Sequence, residues 1–493
     1  MVGLKALATS IHAEPMHQVP LCVDLDGTLV SSDTLFESCA RLLATRPQRA
    51  LMLPVWLSRG RAAFKEAIAR NVELDPAGLP YHRKLLERLR RERQAGRRIV
   101  LVTAADRAVA TRIAEHLGLF DEIVASDGRL NLKGSTKRDV LVARFGEGGF
   151  DYAGDARADL PVFRAARTAI VVNAGAGVSA ASPAEADRSL AARPSRVLAF
   201  VRALRPHQWL KNLLVFLPLL LSHRLSDSGA WWRDAVAFAA LSCAASAVYL
   251  SNDLLDLESD RAHRSKHRRA LASGDLPLSV AFVAAPLLAI VAVVVAWGVS
   301  AQLAVVVAGY LALSLAYSLW FKEVVLLDVV VLAALYAARL LAGSVAAHVL
   351  ASFWLLAFAL FMFVSLATLK RYSELVGLRE ATAGALGRDY ALADAPLIAA
   401  FGIASGYVAV LVVALYIHGD QVRSLYAHPS LLWLLCPILL YWISRAWLIA
   451  HRGAMHDDPI LFALGDRASL VVAVLCLLVG LTASLRLPLP APF

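Results

Sequence analysis

Two kinds of hydrophobic pattern follow one another along the chain. Up to about residue 200 the apolar residues come in short runs, VPLCVDLDGTL (19–29), RIVLVT (98–103), GFDYAGD (149–155) and TAIVVN (168–173), with helix-like segments between them. Short apolar runs closed by Gly, Asp or Asn read as buried strands, and strands that alternate with helices build a parallel α/β sheet. Between the first two runs lie about seventy mostly helical residues, enough for a small cap. From about residue 207 onward the apolar runs are long enough to cross a bilayer. Nine candidate spans fall near 209–222, 235–251, 278–297, 301–320, 325–346, 352–369, 396–418, 429–449 and 468–486. A stretch rich in Ala, Gly, Ser and Pro separates the two patterns. The expected organisation is an α/β domain over residues 1–180, a linker over 181–200 and an all-α polytopic membrane domain over 201–493.

Composition sharpens this picture. The chain is 58% hydrophobic and carries a net charge of +11. Such a charge suits a nucleic-acid binder or a membrane protein with basic cytoplasmic loops; no nucleic-acid motif accompanies it, so nucleic acid is set aside as a partner. With the first domain in the cytoplasm, the connections at 252–277, 321–324, 370–395 and 450–467 carry twelve Lys and Arg. The opposite connections carry three, Arg224, Arg233 and Arg423, as the positive-inside rule requires. Five cysteines (Cys22, Cys39, Cys243, Cys436, Cys476) show no metal-ligand or CxxC spacing, which argues against zinc and a disulfide framework. The first twenty residues lack the apolar core of a signal peptide. The expected location is a bacterial-type cytoplasmic membrane, with the first domain and both candidate sites facing the cytoplasm.

In DLDGTL, Asp24 and Asp26 stand two apart at the C-terminal end of a strand, where open α/β sheets bind ligands. One carboxylate so placed can attack phosphorus while the other handles the leaving group's proton; the bland alternative is a turn with two solvated acids. Three later segments, VLVTAADR, NLKGSTKRDVL and GDARADLP, shift the balance. With them, in this order over about 150 residues, the sequence resembles the haloacid-dehalogenase (HAD) phosphatase superfamily. The resemblance implies a HAD-like, Rossmann-like sheet with a small helical cap. It makes Asp24 the nucleophile, Asp26 the general acid/base and Thr103 the hydroxyl that holds the phosphoryl group. The lysine of that family is Lys137 or Lys133, with Lys137 favoured because it opens a helix. Mg²⁺ is implied on Asp24, Asp155 and Asp159, with Asp26 counted in the same acidic set. Within the cap, the apolar RALMLPVWLSRG around Trp56 and the cationic segment 81–98 read as cap core and solvated helix face. The rival is a surface that leans on an anionic leaflet.

The most charged interruption of the membrane pattern is YLSNDLLDLESDRAHRSKHRRALASG, residues 249–274. Asn252 and Asp256, Asp253 and Asp256, and Asp256 and Asp260 are spaced by four, three and four, which on one helix aligns them on one face. Aligned acids repel unless a cation lies between them, and Mg²⁺ bridging to phosphate oxygens is the natural one. This NDxxDxxxD pattern, with the candidate spans, resembles the UbiA superfamily of intramembrane transferases over nearly all of residues 200–490. The resemblance implies that Asn252, Asp253, Asp256 and Asp260 hold a donor diphosphate through Mg²⁺. Arg261, Lys266, Arg268 and Arg269 would serve further phosphate oxygens. Where prenyl-transferring members carry a second DxxxD motif, this chain has LKRYSEL, with Lys370, Arg371, Tyr372 and Glu374. Cations in place of acids favour added phosphate charge over a second metal. Together with RPHQWLKN (Lys211, Asn212), YSLWFKEVVLLD (Tyr317, Lys322, Asp328) and HDDPILFALGDR, this segment resembles one branch, the polyprenyl-phosphate phosphoribosyltransferases.

The two resemblances combine into one expectation, a bifunctional membrane enzyme. It would transfer 5-phosphoribosyl from 5-phosphoribosyl 1-diphosphate (PRPP) to a polyprenyl phosphate, then remove the 5-phosphate to leave polyprenyl-phosphoryl ribose. Two rivals stand beside it: a prenyltransferase fused to a phosphatase of unrelated specificity, and a phosphatase on a non-catalytic membrane anchor or lipid carrier. The oligomeric state and the lipid's chain length stay open.

Overall fold

The computed structural model describes residues 19–50, 52–126, 132–183, 185–190, 195–222, 224–378, 390–419, 422, 425–455 and 458–485. The N-terminal stretch inspected for a signal peptide lies outside them through residue 18. The chain forms two compact units, residues 1–203 with 250–283, and residues 204–249 with 284–493.

The first unit is built on six parallel strands: β1 (Leu21–Val23), β2 (Ile99–Asp106), β3 (Glu122–Ser126), β4 (Asp151–Gly154), β5 (Ala169–Val172) and β6 (Asp187–Leu190), in the order β3-β2-β1-β4-β5-β6. Strand alternation sorts the side chains into two cores. Leu21 and Val23 join Ile99 and Leu101 on one face, while Cys22 joins Val100, Val102 and Tyr152 on the other. The strand order reverses at β1, so the residues just after it stand at the switch point where such sheets bind ligands. β3 and β6 were not among the four strands expected. They are the two edges of the sheet; β6 reads DRSL and lies inside the stretch expected as a linker, whereas β3 reads EIVAS.

Between β1 and β2 the chain folds into helices, Thr34–Thr45, Pro47–Ala50, Leu53–Ser58, Arg61–Asn71 and Arg83–Gln94. Asp33 starts the first by accepting from the N–H groups of Leu35 and Phe36. Trp56 packs against Leu42, Ala50 and Val72 as part of the cap's own core, and Arg83–Gln94 buries Leu85, Leu86 and Leu89 while Arg83, Arg90, Arg91 and Arg93 are exposed.

Among the described residues, eight helices are long and apolar enough to cross a membrane: Ser228–Leu255, Leu278–Trp297, Ala301–Leu319, Leu327–Ala346, Phe353–Gly377, Leu392–His418, Pro429–His451 and Arg467–Ser484. Ser228–Leu255 and Leu327–Ala346 are buried deepest. Leu278–Trp297 instead exposes Val283, Leu287, Ile290, Val294 and Trp297, an apolar stripe at helical spacing that suits lipid rather than water. The protein is thus an integral membrane protein. The expected span at 209–222 is a 3-10 helix, Pro206–Phe216, that runs into the short α-helix Leu217–Leu221. Pro206 and Pro218 each sit at a helix start, where a missing N–H is tolerated, so the run is split in two.

Candidate functional site

Asp24 follows β1 directly and is buried. Lys137, on the helix Ser135–Phe145, places Nζ 2.9 Å from Asp24 Oδ2 and 3.5 Å from Asp159 Oδ1. It also donates to the Tyr152 hydroxyl at 2.9 Å, which donates in turn to Asp159 at 2.8 Å. Of the two candidate lysines, Lys137 reaches the acids and Lys133 is exposed. Carboxylate oxygens of Asp24, Asp155 and Asp159 lie within 4.8 Å of one another. Such an all-oxygen cluster fits a hard divalent cation. Gly27, at φ +80°, lets Asp155 in: a Cβ there would stand 2.4 Å from Asp155 Oδ2. Thr103, fully buried in β2, accepts from the Ala105 N–H at 2.9 Å.

Asp26 departs from the expected acidic set. Its carboxylate accepts from the Thr34 N–H at 2.8 Å, because the free donors at a helix start claim it, and it is not in the three-acid cluster. Burial pushes Asp24 up to about 6 although Lys137 pulls it down; burial, then the charge of Asp33, pushes Asp26 up to about 8. Burial opposes the charge on Lys137, but Asp24 and Asp159 outweigh it and raise its pKa. Both environments thus favour the protonated carboxyl, that of Asp26 more strongly than that of Asp24.

The acid motif of residues 252–260 does not run along one straight helix. The helix Ser228–Leu255 ends there, Asp256 leaves helical geometry, and a short helix, Leu257–Ala262, resumes. Arg269 stands between two of the acids, 3.2 Å from Asp253 Oδ1 and 2.6 Å from Asp260 Oδ2. The guanidinium thus offsets the charge of two buried acids of the motif. Burial raises the pKa of Asp260 even with Arg269 beside it. Asn252 Oδ1 is buried and has no hydrogen-bond partner among the described residues. Lys266 and Arg268 are exposed on the turn that follows. Arg261, expected on phosphate, is turned instead to Glu37, with NH1 and NH2 at 2.9 and 2.6 Å from the two carboxylate oxygens. That fork-to-fork pairing is the geometry a guanidinium prefers.

In the second unit, Lys211 pairs with Asp458, the residue that caps the helix Pro459–Gly465. Burial works against the charge of Asp458, but Lys211 and then Lys370 outweigh it and hold it below the ordinary carboxylate range. Asn212 donates to Ser242 at 3.1 Å and accepts from Arg339 at 2.9 Å. Arg339, absent from the sequence expectations, is buried between the rings of Tyr310 and Tyr336, 5.0 and 5.4 Å from their centroids. It donates to the Tyr310 hydroxyl and the Leu335 carbonyl and meets no carboxylate among the described residues. The signal for it was present: one Arg inside LDVVVLAALYAARLLAGSVA.

Four other expected residues do come together, but as a closed network. Arg371, almost fully buried, pairs with Asp328 and with Glu374 at 2.5 Å and donates to the Tyr317 hydroxyl at 2.7 Å; the Tyr390 hydroxyl donates to Asp328 at 2.6 Å. Two acids match its charge, so Arg371 does not present the free cation expected for phosphate. Tyr372 is turned away to His451, with its hydroxyl 2.8 Å from Nδ1. Lys322 lies half-buried on the turn Phe321–Glu323.

Comparisons with known proteins agree with both halves. Residues 213–462 match the UbiA prenyltransferase family and residues 21–164 match haloacid dehalogenase-like hydrolases. Protein y4nM of Sinorhizobium fredii is 40% identical over 471 residues, which cover 93% of this chain and 90% of that protein. The nodulation protein NoeC of Azorhizobium caulinodans is 37% identical over 291 residues, 58% of this chain and 92% of its own length. The decaprenyl-phosphate phosphoribosyltransferase of Mycolicibacterium smegmatis is 36% identical over 185 residues, 36% of this chain and 58% of that enzyme. With a HAD-like domain ahead of its membrane spans, the chain belongs to the UbiA prenyltransferase family.

Proposed function

We propose that this chain transfers 5-phosphoribosyl from PRPP to a polyprenyl phosphate and then removes the 5-phosphate with its own HAD-like domain. The observation that carries the first step is the charge of the polar residues inside the second unit. Lys211, Lys370 and Arg339 lie near one another and near Asp458, and among the described residues the buried Arg339 meets no carboxylate. A buried guanidinium that meets no carboxylate suits a donor and an acceptor that both bring phosphate. The similarity to a decaprenyl-phosphate phosphoribosyltransferase supports the same reading.

In this account Asn252, Asp253, Asp256 and Asp260 form the donor-diphosphate site, and Arg269 moves from acid to phosphate partners as the donor enters. All four motif residues offer oxygen ligands, and the unpartnered Asn252 Oδ1 is the atom best placed to gain one. The bond from C1 of ribose to diphosphate breaks, charge develops at C1, and a lipid-phosphate oxygen forms the new bond. Electrostatic stabilisation by the surrounding cations supplies most of the acceleration, and the anionic nucleophile needs no general base. In the head, Asp24 attacks the 5-phosphate and Asp26 protonates the departing sugar oxygen; Asp26 then takes a proton from the water that opens the aspartyl-phosphate. Lys137 and Thr103 hold the phosphoryl oxygens. Mg²⁺, where bound at either acidic set, screens carboxylate from phosphate and so lets the anions approach.

The head and the acid motif share one compact unit, and we place both on the cytoplasmic side of a bacterial-type membrane. That requires two crossings between them. Ser228–Leu255 supplies one. Pro206–Leu221 supplies the other, since eleven 3-10 residues and five α-helical ones reach about 30 Å, the thickness of the hydrocarbon core.

The test is to incubate the purified protein in nanodiscs with Mg²⁺, PRPP and polyprenyl phosphate and to identify lipid products by mass. Formation of polyprenyl-phosphoryl ribose supports the proposal. Efficient use of farnesyl or geranylgeranyl diphosphate with PRPP inert would replace it with a prenyltransferase.

A further inference from the structure

Residues 250–283, which hold the acid motif, fold with the phosphatase head in one compact unit, and the seam between them is built from matched groups. On the helix Thr34–Thr45, Glu37 and Arg41 stand one turn apart; on the helix Leu257–Ala262, Glu258 and Arg261 do the same. Their charges are crossed, so Glu37 meets Arg261 and Arg41 meets Glu258. Glu37 is almost wholly buried, and Arg261 gives two further donors to the carbonyls of Ala272, at 3.1 Å, and Gly78, at 3.3 Å, in the cap. Phe36 packs on Phe282 with ring centroids 5.6 Å apart. Gly274 comes so close to Ser31 that a Cβ on it would lie 2.8 Å from the serine Cβ.

This seam begins at the catalytic loop of the head. Thr34, whose N–H binds the Asp26 carboxylate, opens the same helix that carries Glu37 one turn later. Arg261 is the next residue after Asp260 of the acid motif. Two hydrogen-bonded steps therefore separate the acid/base carboxylate of one site from the diphosphate motif of the other. A buried fork pairing with both partners fixed in packed elements holds its helix far more firmly than an exposed ion pair does.

We propose that Arg261, although it adjoins the transferase motif, is a positioning residue for the phosphatase: through Glu37 it fixes the helix that aims Asp26. The proposal rests on the phosphatase reading of the head given above. A phosphate-binding Arg261 and a positioning Arg261 differ in one observable. The first affects only donor transfer; the second changes hydrolysis of a soluble phosphomonoester when neither donor nor lipid is present.

The experiment measures hydrolysis of p-nitrophenyl phosphate by the full chain in nanodiscs, without PRPP or lipid. The double variant Glu37→Gln/Arg261→Gln leaves neither buried charge alone, which keeps the fold within reach. It is expected to lose about tenfold or more in kcat with KM changed by less than about twofold, because misaiming a proton-transfer group slows chemistry rather than binding. On the more exposed pair, Glu258→Arg should lower kcat in the same way, and adding Arg41→Glu should restore most of it by re-forming the ion pair. A folded double variant, judged by its elution and unfolding temperature, with wild-type kcat would overturn the proposal. If that variant does not fold, the exposed pair decides, and failure of Arg41→Glu to rescue Glu258→Arg overturns it equally. Hydrolysis that survives Asp24→Asn, or is absent from the wild type, is a different failure: it strikes the phosphatase reading itself.

Discussion

Gly27→Ala should silence the phosphatase and spare the transferase. Gly27 sits at φ +80°, a conformation that costs a residue with a Cβ about 1–2 kcal/mol. The larger effect is steric. The new Cβ would stand 2.4, 2.6 and 2.8 Å from the three carboxyl atoms of Asp155, against 3.4 Å at the near edge of ordinary contact. The carboxylate must therefore retreat by about 1 Å, and a displacement of that size at reacting groups lowers rates by about a hundredfold, or about 2.7 kcal/mol. Asp155 is one of only three acids in the cluster, so a retreat also weakens metal binding. The assay is kcat/KM for p-nitrophenyl phosphate across a Mg²⁺ titration, with lipid glycosylation followed in parallel. A loss of about a hundredfold in hydrolysis, a raised Mg²⁺ requirement and unchanged glycosylation are expected. Wild-type hydrolysis by a folded Gly27→Ala protein would refute the role given to Asp155.

Three further outcomes follow from the membrane half. Asp256→Asn should abolish lipid glycosylation yet leave p-nitrophenyl phosphate hydrolysis nearly intact; equal loss of both in a folded protein would contradict separate acidic sites. Arg371→Gln strands the buried Asp328 and Glu374, so it should destabilise the protein by about 3–5 kcal/mol, visible as a lowered unfolding temperature. A stable variant changed only in donor KM would return Arg371 to the substrate site. Arg339→Gln should raise the PRPP or polyprenyl-phosphate KM by the about 1.5–3 kcal/mol of a lost charged hydrogen bond; unchanged KM values would make Arg339 a packing residue.

The sequence carried what is local and left out what depends on distant pairing. The strand before Asp24, the Thr103 strand and the strand before the acids of GDARADLP were legible because each is a short apolar run with its own punctuation. The edge strands β3 and β6 were not, since an edge has one hydrogen-bonded side and needs no continuous apolar run. Among the described residues, eight of the nine expected spans form single long helices; the ninth is a 3-10 helix that runs, at Pro218, into a short α-helix. At the membrane site, composition revealed the charges and not their partners. Arg371 beside Asp328 and Glu374, and Arg261 on Glu37, 224 residues away, each meet acids where the family resemblance implied phosphate. A cation beside acids in sequence has two uses, and only the fold selects one.

The central claim, two consecutive steps in one chain, is tested most directly by the lipid product of Asp24→Asn. The substitution keeps the side chain's size and removes the charge that attacks phosphorus, while the membrane half is untouched. With Mg²⁺, PRPP and polyprenyl phosphate, the variant should stop at polyprenyl-phosphoryl 5-phosphoribose, whereas the wild type should yield a lipid lighter by one phosphate group and release inorganic phosphate. A wild type that also stops at the phosphorylated lipid, while its head hydrolyses other phosphomonoesters, would contradict the account.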